Sequence, residues 1–376
     1  MFTDDEHFDC AALAILARSF VEMNALPQVP NMSKLLTEAF LPKWRGAGGQ
    51  QPAMYKAITA VCLVRQIVGA VFAAVLMLGG HAKAGEPLRV GKAVPEAFSF
   101  VPLDIGIEEG IFTKNALDVR PTAFAGDAKL QQAMAADGID VALGSGPGMA
   151  FIVKGSPVKA IAAMAGPPLL LAIVVRPDGP KTVDDLKGRR VSVSTAGSLT
   201  AWLVGQTARR QGWGPRGIEI EPMGAMPGQI AALKRGDIDG AIMDIGNAFD
   251  LEKKGEGRIL VRFTDIKDFI IHVIYATNKA IANRPADLRN FVKGWFETIA
   301  FMRSHKDETV KIAAPVMGKD AGITGRTYDE LMPMFSDNGK FSQAALDVLA
   351  KSWVELGTLP AEPDLKTLYT EQFLPR

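Results

Sequence analysis

One strand–loop–helix–strand unit is written twice in this chain, about 100 residues apart. The first copy opens on Leu117-Asp118-Val119-Arg120-Pro121, the second on the similar Ile218-Glu219-Ile220-Glu221-Pro222. A loop and an amphipathic helix follow each, over Leu130–Ala136 and Ile230–Lys234. Each helix stops at a Gly/Asp turn that feeds a buried strand. That stretch is Gly138-Ile139-Asp140-Val141-Ala142 in one copy and Gly236-Asp237-Ile238-Asp239-Gly240-Ala241 in the other. Self-similarity at a fixed offset points to a duplicated structural unit. Two related lobes are therefore expected.

From Leu88 onward, short β-type runs alternate with longer helical ones, the pattern of an α/β fold. Strands are expected at 88–91, 117–119, 139–143, 191–193, 218–220, 240–243 and 270–275. The continuous apolar run Leu169–Val175 suits a strand buried on both faces. Helical periodicity runs through 101–112, with Leu103, Ile107 and Ile111 on one face, and through 129–136. The C-terminal part reads as mainly helical, at 287–304, 327–335 and 343–356.

Ahead of this region lies an export signal over 54–84. Lys56 and Arg65 form its basic end, Ile67–Leu78 its apolar run, and Ala82-Lys83-Ala84 the small-residue cleavage pattern. The run falls short of the roughly 20 residues that span a bilayer, although an uncleaved anchor is the competing reading. Residues 1–53 are either a start assigned too early, with Met54 the true initiator, or a disordered or cytoplasmic extension. Cleavage near Ala84 would place the mature chain in the periplasm. Both cysteines, Cys10 and Cys62, precede that point. The mature chain could then form no disulfide, thiolate nucleophile or cysteine metal site. His272 and His305 would be its only histidines, and neither falls in a loop expected to hold ligand. No metal and no cofactor are expected.

At 376 residues the chain has room for two ordinary domains. Its 42 basic and 41 acidic residues give a net charge of +1, which offers no electrostatic case for nucleic acid. A monomer is expected.

Three stretches carry a family resemblance. The first is 102–119, with Gly110-Ile111-Phe112 and Leu117-Asp118-Val119. The second is Asp185-Leu186-Lys187-Gly188-Arg189-Arg190-Val191-Ser192-Val193, followed by Gly197-Ser198. The third is 231–241, Ala-Ala-Leu-Lys-Arg-Gly-Asp-Ile-Asp-Gly-Ala. In that order they resemble the substrate-binding proteins of ABC importers in the nitrate/sulfonate/taurine group, related to proteins that bind the pyrimidine precursor of thiamine. The resemblance implies a type II periplasmic-binding-protein fold. Two α/β lobes would be joined by two crossing strands, with a ligand cleft between them. Residues 86–170 plus 276–376 would form lobe 1 and 176–270 lobe 2, with Leu169–Arg176 and Ile270–Thr277 as the crossing segments. It also implies a small-molecule solute, an inner-membrane ABC permease as partner, closure of the lobes about a hinge, and no catalysis.

In open α/β sheets, ligands sit beyond the carboxyl ends of strands, where loops lead into helix starts. Four such loops supply candidates. Phe98, Ser99 and Phe100 follow the first strand. Ser145 and Gly146 lie in 144–148, a glycine-rich stretch without G-x-G-x-x-G spacing. Ser194, Thr195, Gly197, Ser198 and Thr200 form a hydroxyl-rich loop ahead of a helix. Asp244 follows the strand at 240–243. The hydroxyl loop could hold an anionic group on its helix N-terminus, an effect of about 0.3–2 kcal/mol, or its hydroxyls could simply cap the helix. Asp244 could accept an amino group or cap its own helix. Phe98 and Phe100 could wall the cleft or belong to the core. No lysine or arginine lies in these loops, which disfavours a dianion. A sulfonate, a carboxylate or a pyrimidine-like solute remains open. The rivals are an enzyme on the same fold, related to thiamine pyrimidine synthesis and needing histidines and a lysine in the cleft, and a periplasmic sensor.

Overall fold

The computed structural model describes residues 86–375. The export signal and residues 1–53 lie outside the described residues. The described chain opens with β1 (Leu88–Lys92) and a 3-10 turn, Phe98–Phe100, that leads into α1 (Val101–Glu108). Gly110, at φ +66°, ends that helix before α2 (Ile111–Lys114). The left-handed turn suits glycine and divides the single helix expected over 101–112. There follow β2 (Val119–Ala123), α3 (Asp127–Ala135), β3 (Val141–Ser145), α4 (Ala150–Val153) and β4 (Val158–Ala165).

A second run comprises β5 (Leu169–Val175), β6 (Arg190–Val193), α5 (Leu199–Arg210), β7 (Glu219–Pro222), α6 (Met226–Arg235), β8 (Gly240–Asp244), α7 (Ile245–Lys253) and β9 (Arg258–Phe263). The chain returns as β10 (His272–Thr277) and continues into α8 (Asn278–Asn283), α9 (Pro285–Ser304), α10 (Lys306–Met317), α11 (Ala321–Leu331) and α12 (Gln343–Glu355).

The strands build two five-stranded sheets, ordered β2-β1-β3-β10-β4 and β7-β6-β8-β5-β9. They correspond strand for strand. In each, three parallel strands are followed by an antiparallel pair: β10 runs against β3 and β4, and β5 against β8 and β9. The duplicated sequence unit maps onto β2–α3–β3 and β7–α6–β8. Each sheet takes its fourth strand from chain that has just crossed over from the other.

The crossings themselves differ from the sequence expectation. Leu169–Val175 and His272–Thr277 are full members of their sheets. The chain passes between sheets in the segments ahead of them, 166–168 and 264–271. The strands β4 and β9 were not expected at all, and both are sheet edges.

Packing follows from the pattern. Ile173, Val174 and Val175 of β5 and Val141–Leu143 of β3 are wholly buried, each large aliphatic side chain contributing about 1.5–3 kcal/mol. Phe112 of α2 stacks on Phe291 of α9 with centroids 5.2 Å apart. Helices α9 and α10 pack on α1, and α11 packs on α7 of the second half. The C-terminal helices therefore touch both halves. Among the described residues no helix is long and apolar enough to cross a membrane.

Candidate functional site

The carboxyl ends of β1, β3, β6 and β8 converge on one cavity of about 90 Å³ between the sheets. The first half lines it with Ala93, Glu96, Ser99, Phe100, Asp127 and Ser145. The second half lines it with Ser194, Ser198, Thr200, Met226, Asp244 and Asn247. Leu169 and Leu171 follow one crossing, Ile271 and His272 end and follow the other, and Leu331 and Met334 close the wall. Two wider grooves, of about 660 and 280 Å³, adjoin the cavity, and Glu96 and Met226 line all three spaces. A cavity of about 150 Å³ is known to take benzene, and this one is smaller.

On the first half, the end of β3 is tightly fixed. Ser145 N donates to Asp127 Oδ1 at 2.8 Å. Its carbonyl accepts from the Tyr275 hydroxyl at 2.6 Å, and its Oγ accepts from Gly148 N at 3.2 Å. Burial raises the Asp127 pKa against the opposing Ser145 N–H, and burial, then Asp127, holds the Tyr275 hydroxyl well above its ordinary range.

On the second half, the hydroxyls form their own network. Ser198 caps α5, accepting from Ala201 N at 3.3 Å. Its Oγ lies 2.8 Å from Thr200 Oγ1 and donates to the Thr195 carbonyl at 2.7 Å, while Thr200 Oγ1 accepts from Ser194 N at 3.1 Å. Asp244 caps α7, with Oδ1 accepting from Gly246 N at 2.9 Å. Burial pushes its pKa up to about 6. The Gly246 N–H opposes that shift, Glu96 adds to it, and Lys319 counters.

Seven of the expected residues line the cavity: Ser99, Phe100, Ser145, Ser194, Ser198, Thr200 and Asp244. Four do not. Phe98 packs into the core against Tyr328 and Phe335, with centroids 6.3 and 6.0 Å away. The Gly146 N–H donates to the Ile271 carbonyl at 2.8 Å, so the crossing takes the donor that a ligand would need. Thr195 packs against Gly126, and Gly197 forms a left-handed turn, φ +76°, near Thr358.

Sequence reasoning missed Glu96, Asp127, Met226, Asn247 and His272. Asp127 and Met226 begin helices that follow β2 and β7, loops that obey the same strand-end rule. His272 corrects the expectation that no histidine reaches the site. It opens β10 opposite Ser145, its ring lies 4.7 Å from Phe100, and its buried Nδ1 has no partner among the described residues. Burial lowers its pKa to about 3, so the imidazole is neutral. Among the described residues, no lysine or arginine lines the cavity. Lys92, at the end of β1, bonds Asp104 instead, at 2.9 and 2.7 Å.

Two open α/β sheets of one strand order, crossed twice beside a shared cavity, define the periplasmic-binding-protein fold of type II. Solved structures agree. A protein of Bordetella bronchiseptica RB50 matches with a TM-score of 0.67 at 21% identity, covering 77% of this chain and 96% of its own. The periplasmic aliphatic sulphonate binding protein SsuA of Escherichia coli matches with a TM-score of 0.63 at 18% identity, covering 76% and 92%. The alkanesulfonate-binding protein SsuA of Xanthomonas axonopodis pv. citri, bound to MOPS, matches with a TM-score of 0.64 at 16% identity, covering 74% and 94%. No curated protein sequence matches the chain. Residues 97–309, more than half the chain, match the family profile described as NMT1/THI5 like. The chain belongs to the NMT1/THI5-like family.

Proposed function

We propose that this chain is an exported solute-binding protein that captures a small organic solute and delivers it to an ABC importer. The observation that carries this reading is the cavity, which takes polar residues from the strand ends of both halves and sits beside both crossings. A guest touching both halves stabilises their closed arrangement by its differential affinity for it. The closed surface is then what an inner-membrane permease would recognise. Two of the structural relatives carry sulfonate-binding names, which supports the solute role and leaves the guest open among sulfonate, carboxylate and pyrimidine-like compounds. The moving bodies of this proposal are the two sheets with their helices, acting in the periplasm as a monomer.

An enzyme on the same fold is the second reading. His272 in the cavity favours it, since such chemistry needs a histidine. The lack of a lining lysine weighs against it, and the hydrogen bonds of Ser145, Ser198 and Thr200 stay within the protein.

A thermal-shift screen of small solutes, followed by small-angle scattering with any hit, tests the proposal. A binder present at a hundredfold excess over its Kd stabilises by about 2.7 kcal/mol, and it should shrink the radius of gyration. Turnover of the bound compound, or stabilisation with no compaction, contradicts capture by closure.

A further inference from the structure

The cavity wall carries uncharged polar groups whose hydrogen-bonding capacity the protein leaves unused. Ser99, in the 3-10 turn before α1, is 2% exposed and lines the cavity, and its Oγ makes no hydrogen bond among the described residues. Asn247, in the first turn of α7, is 5% exposed and lines the cavity from the other half. Its side-chain amide is equally without a partner among the described residues. Buried polar groups are normally hydrogen-bonded, and leaving one unmatched is costly. Water meets these groups before a guest does, so a guest that displaces it must reproduce its hydrogen bonds.

His272 adds a group of fixed polarity. It lines the same cavity, its imidazole is neutral, and its Nδ1 is enclosed with no partner among the described residues. An enclosed N–H without an acceptor is rarer than an unmatched lone pair, so the ring proton belongs on Nε2. That is the nitrogen left to meet a guest, and it does so as a donor.

We infer that Ser99, Asn247 and His272 select the solute, and that they select an uncharged compound with a hydrogen-bond donor beside an acceptor, as on the edge of a carboxamide. This rests on the solute-capture reading above and narrows it.

The polarity of the three groups sets the class. Asn247 offers a carbonyl and an amino group together, which another carboxamide edge complements. His272 supplies a donor to an acceptor oxygen, and the Ser99 hydroxyl gives or takes. Charge has less to gain. Among the described residues no lysine or arginine lines the cavity, and the starts of α5 and α7 are capped by the protein's own Ser198 and Asp244. For a cation, Asp127 and Asp244 are each already tied to a backbone N–H.

Four probes of one shape separate these cases: isobutyramide, methyl isopropyl ketone, isobutyrate and isobutyramidine. Ligand-observed NMR titration of the purified protein reads even weak affinities. Isobutyramide should bind about tenfold more tightly than the ketone, which keeps the acceptor and lacks the donor, and both ions should bind more weakly than the amide. Asn247→Leu breaks no hydrogen bond among the described residues and should bring amide and ketone to equal affinity, a change that a merely structural role would not produce. His272→Phe should weaken amide and ketone alike by about tenfold. Ser99→Ala removes a single oxygen and should weaken the amide by a few fold, a loss that stays readable if a larger variant fails to fold. Tighter binding of either ion, or an amide-to-ketone ratio untouched by Asn247→Leu, overturns this assignment and leaves solute capture standing. Binding of none of the four overturns it as well, and capture is then judged by the broader solute screen and its compaction.

Discussion

The two sheets share one strand order, yet the residue after the third strand is Gly146 in one half and Ile245 in the other. Ser145 and Asp244, the strand-end caps, are counterparts, so the next positions are too. The difference lies in what passes overhead. Segment 264–271 runs across the end of β3, and a Cβ on Gly146 would stand 2.0 Å from the Ile270 carbonyl. At the end of β8 the equivalent position carries a full side chain, and Ile245 is wholly buried. The acids are distributed unequally as well. In the first half Glu96 comes from the loop after β1, and Asp127, at the start of α3, braces a serine. In the second half the strand end itself carries the acid, and serines and a threonine surround the next helix start. A duplicated scaffold has thus become two unlike walls of one cavity.

Placing alanine at both counterpart positions tests this contrast most severely. Gly146→Ala should lower the melting temperature by about 10 °C or more, since the clash is with backbone and the Ile271 hydrogen bond must break. Ile245→Ala leaves a cavity instead and should cost about 3 kcal/mol. Only Gly146→Ala should also disturb solute binding, because only it displaces a crossing. Equal binding in both variants would mean that the crossings do not set the cavity's shape.

Asp127 comes next. Asp127→Ala strands the buried Ser145 N–H and removes a charge-assisted hydrogen bond, costing about 3 kcal/mol in a thermal melt. Asp127→Asn retains an acceptor and should cost less than half of that. Asp244→Ala, at the opposite wall, loses a helix cap worth about 1 kcal/mol but also removes a buried charge, so its net cost should be smaller still. A larger loss at Asp244 than at Asp127 would reverse the view of which wall is braced.

Much of this arrangement is legible in the sequence, for identifiable reasons. Buried parallel strands are short unbroken apolar runs, so β5 was found with its full extent. The Gly/Asp turns at 236–239 fixed the start of β8. The edge strands were missed because an edge has weaker demands. β4 is alanine-rich, and alanine carries little strand preference, while β9 has arginines at both 258 and 262. Among site residues, Ser145 and Asp244 followed from the strand-end rule. Asp127 could have followed from it too, had the loops after β2 and β7 been given equal standing. His272 could not, because its place depends on where the chain crosses between sheets, and a one-dimensional pattern does not reveal that. Gly146 shows the same blindness from the other side: a glycine that looks free for a ligand is occupied by distant backbone.

Titration separates the walls further. The Asp244 pKa stands at about 6, above the roughly 3.9 of an unfolded aspartate. Between those values the folded state holds a proton that the unfolded state lacks. Its stabilising contribution is therefore full below about pH 4 and lost as pH rises through 6. His272 has the opposite sign. Its pKa of about 3 lies below the unfolded 6.5 or so, and its contribution is full above that pH and declines on acidification. From pH 6 to 4 the two oppose one another. Asp244→Asn should raise stability at pH 7 by about 2 kcal/mol, allowing for partial exposure, and should steepen the loss on acidification. His272→Gln should do the reverse, gaining stability between pH 6 and 4. Parallel melting curves for both variants across that range would remove the cavity as the source of the pH response.

The smallest effect concerns how each half is held to the C-terminal helices. In the first half, α1 is covered by both α9 and α10. Its counterpart α5 is tied to α12 largely through one side chain. Glu355 accepts from Trp202 Nε1 at 2.9 Å and from Gln206 and Arg209, whose Nη2 also reaches the Glu355 carbonyl at 2.7 Å. The pair is partly exposed, so Glu355→Ala should cost only about 1 kcal/mol, or 2–4 °C. Its consequence for shape should be larger than its consequence for stability, because the bond joins the second half to helices packed on the first. The ligand-free variant should scatter as a more open particle and bind its solute more weakly, since closure must then be driven by the solute alone. Lys253→Ala breaks the exposed contact with Asp320, 2.7 Å long, and should change neither measurement. If it opens the particle as far as Glu355→Ala does, then surface charge in general holds the halves together and α5 has no particular anchor.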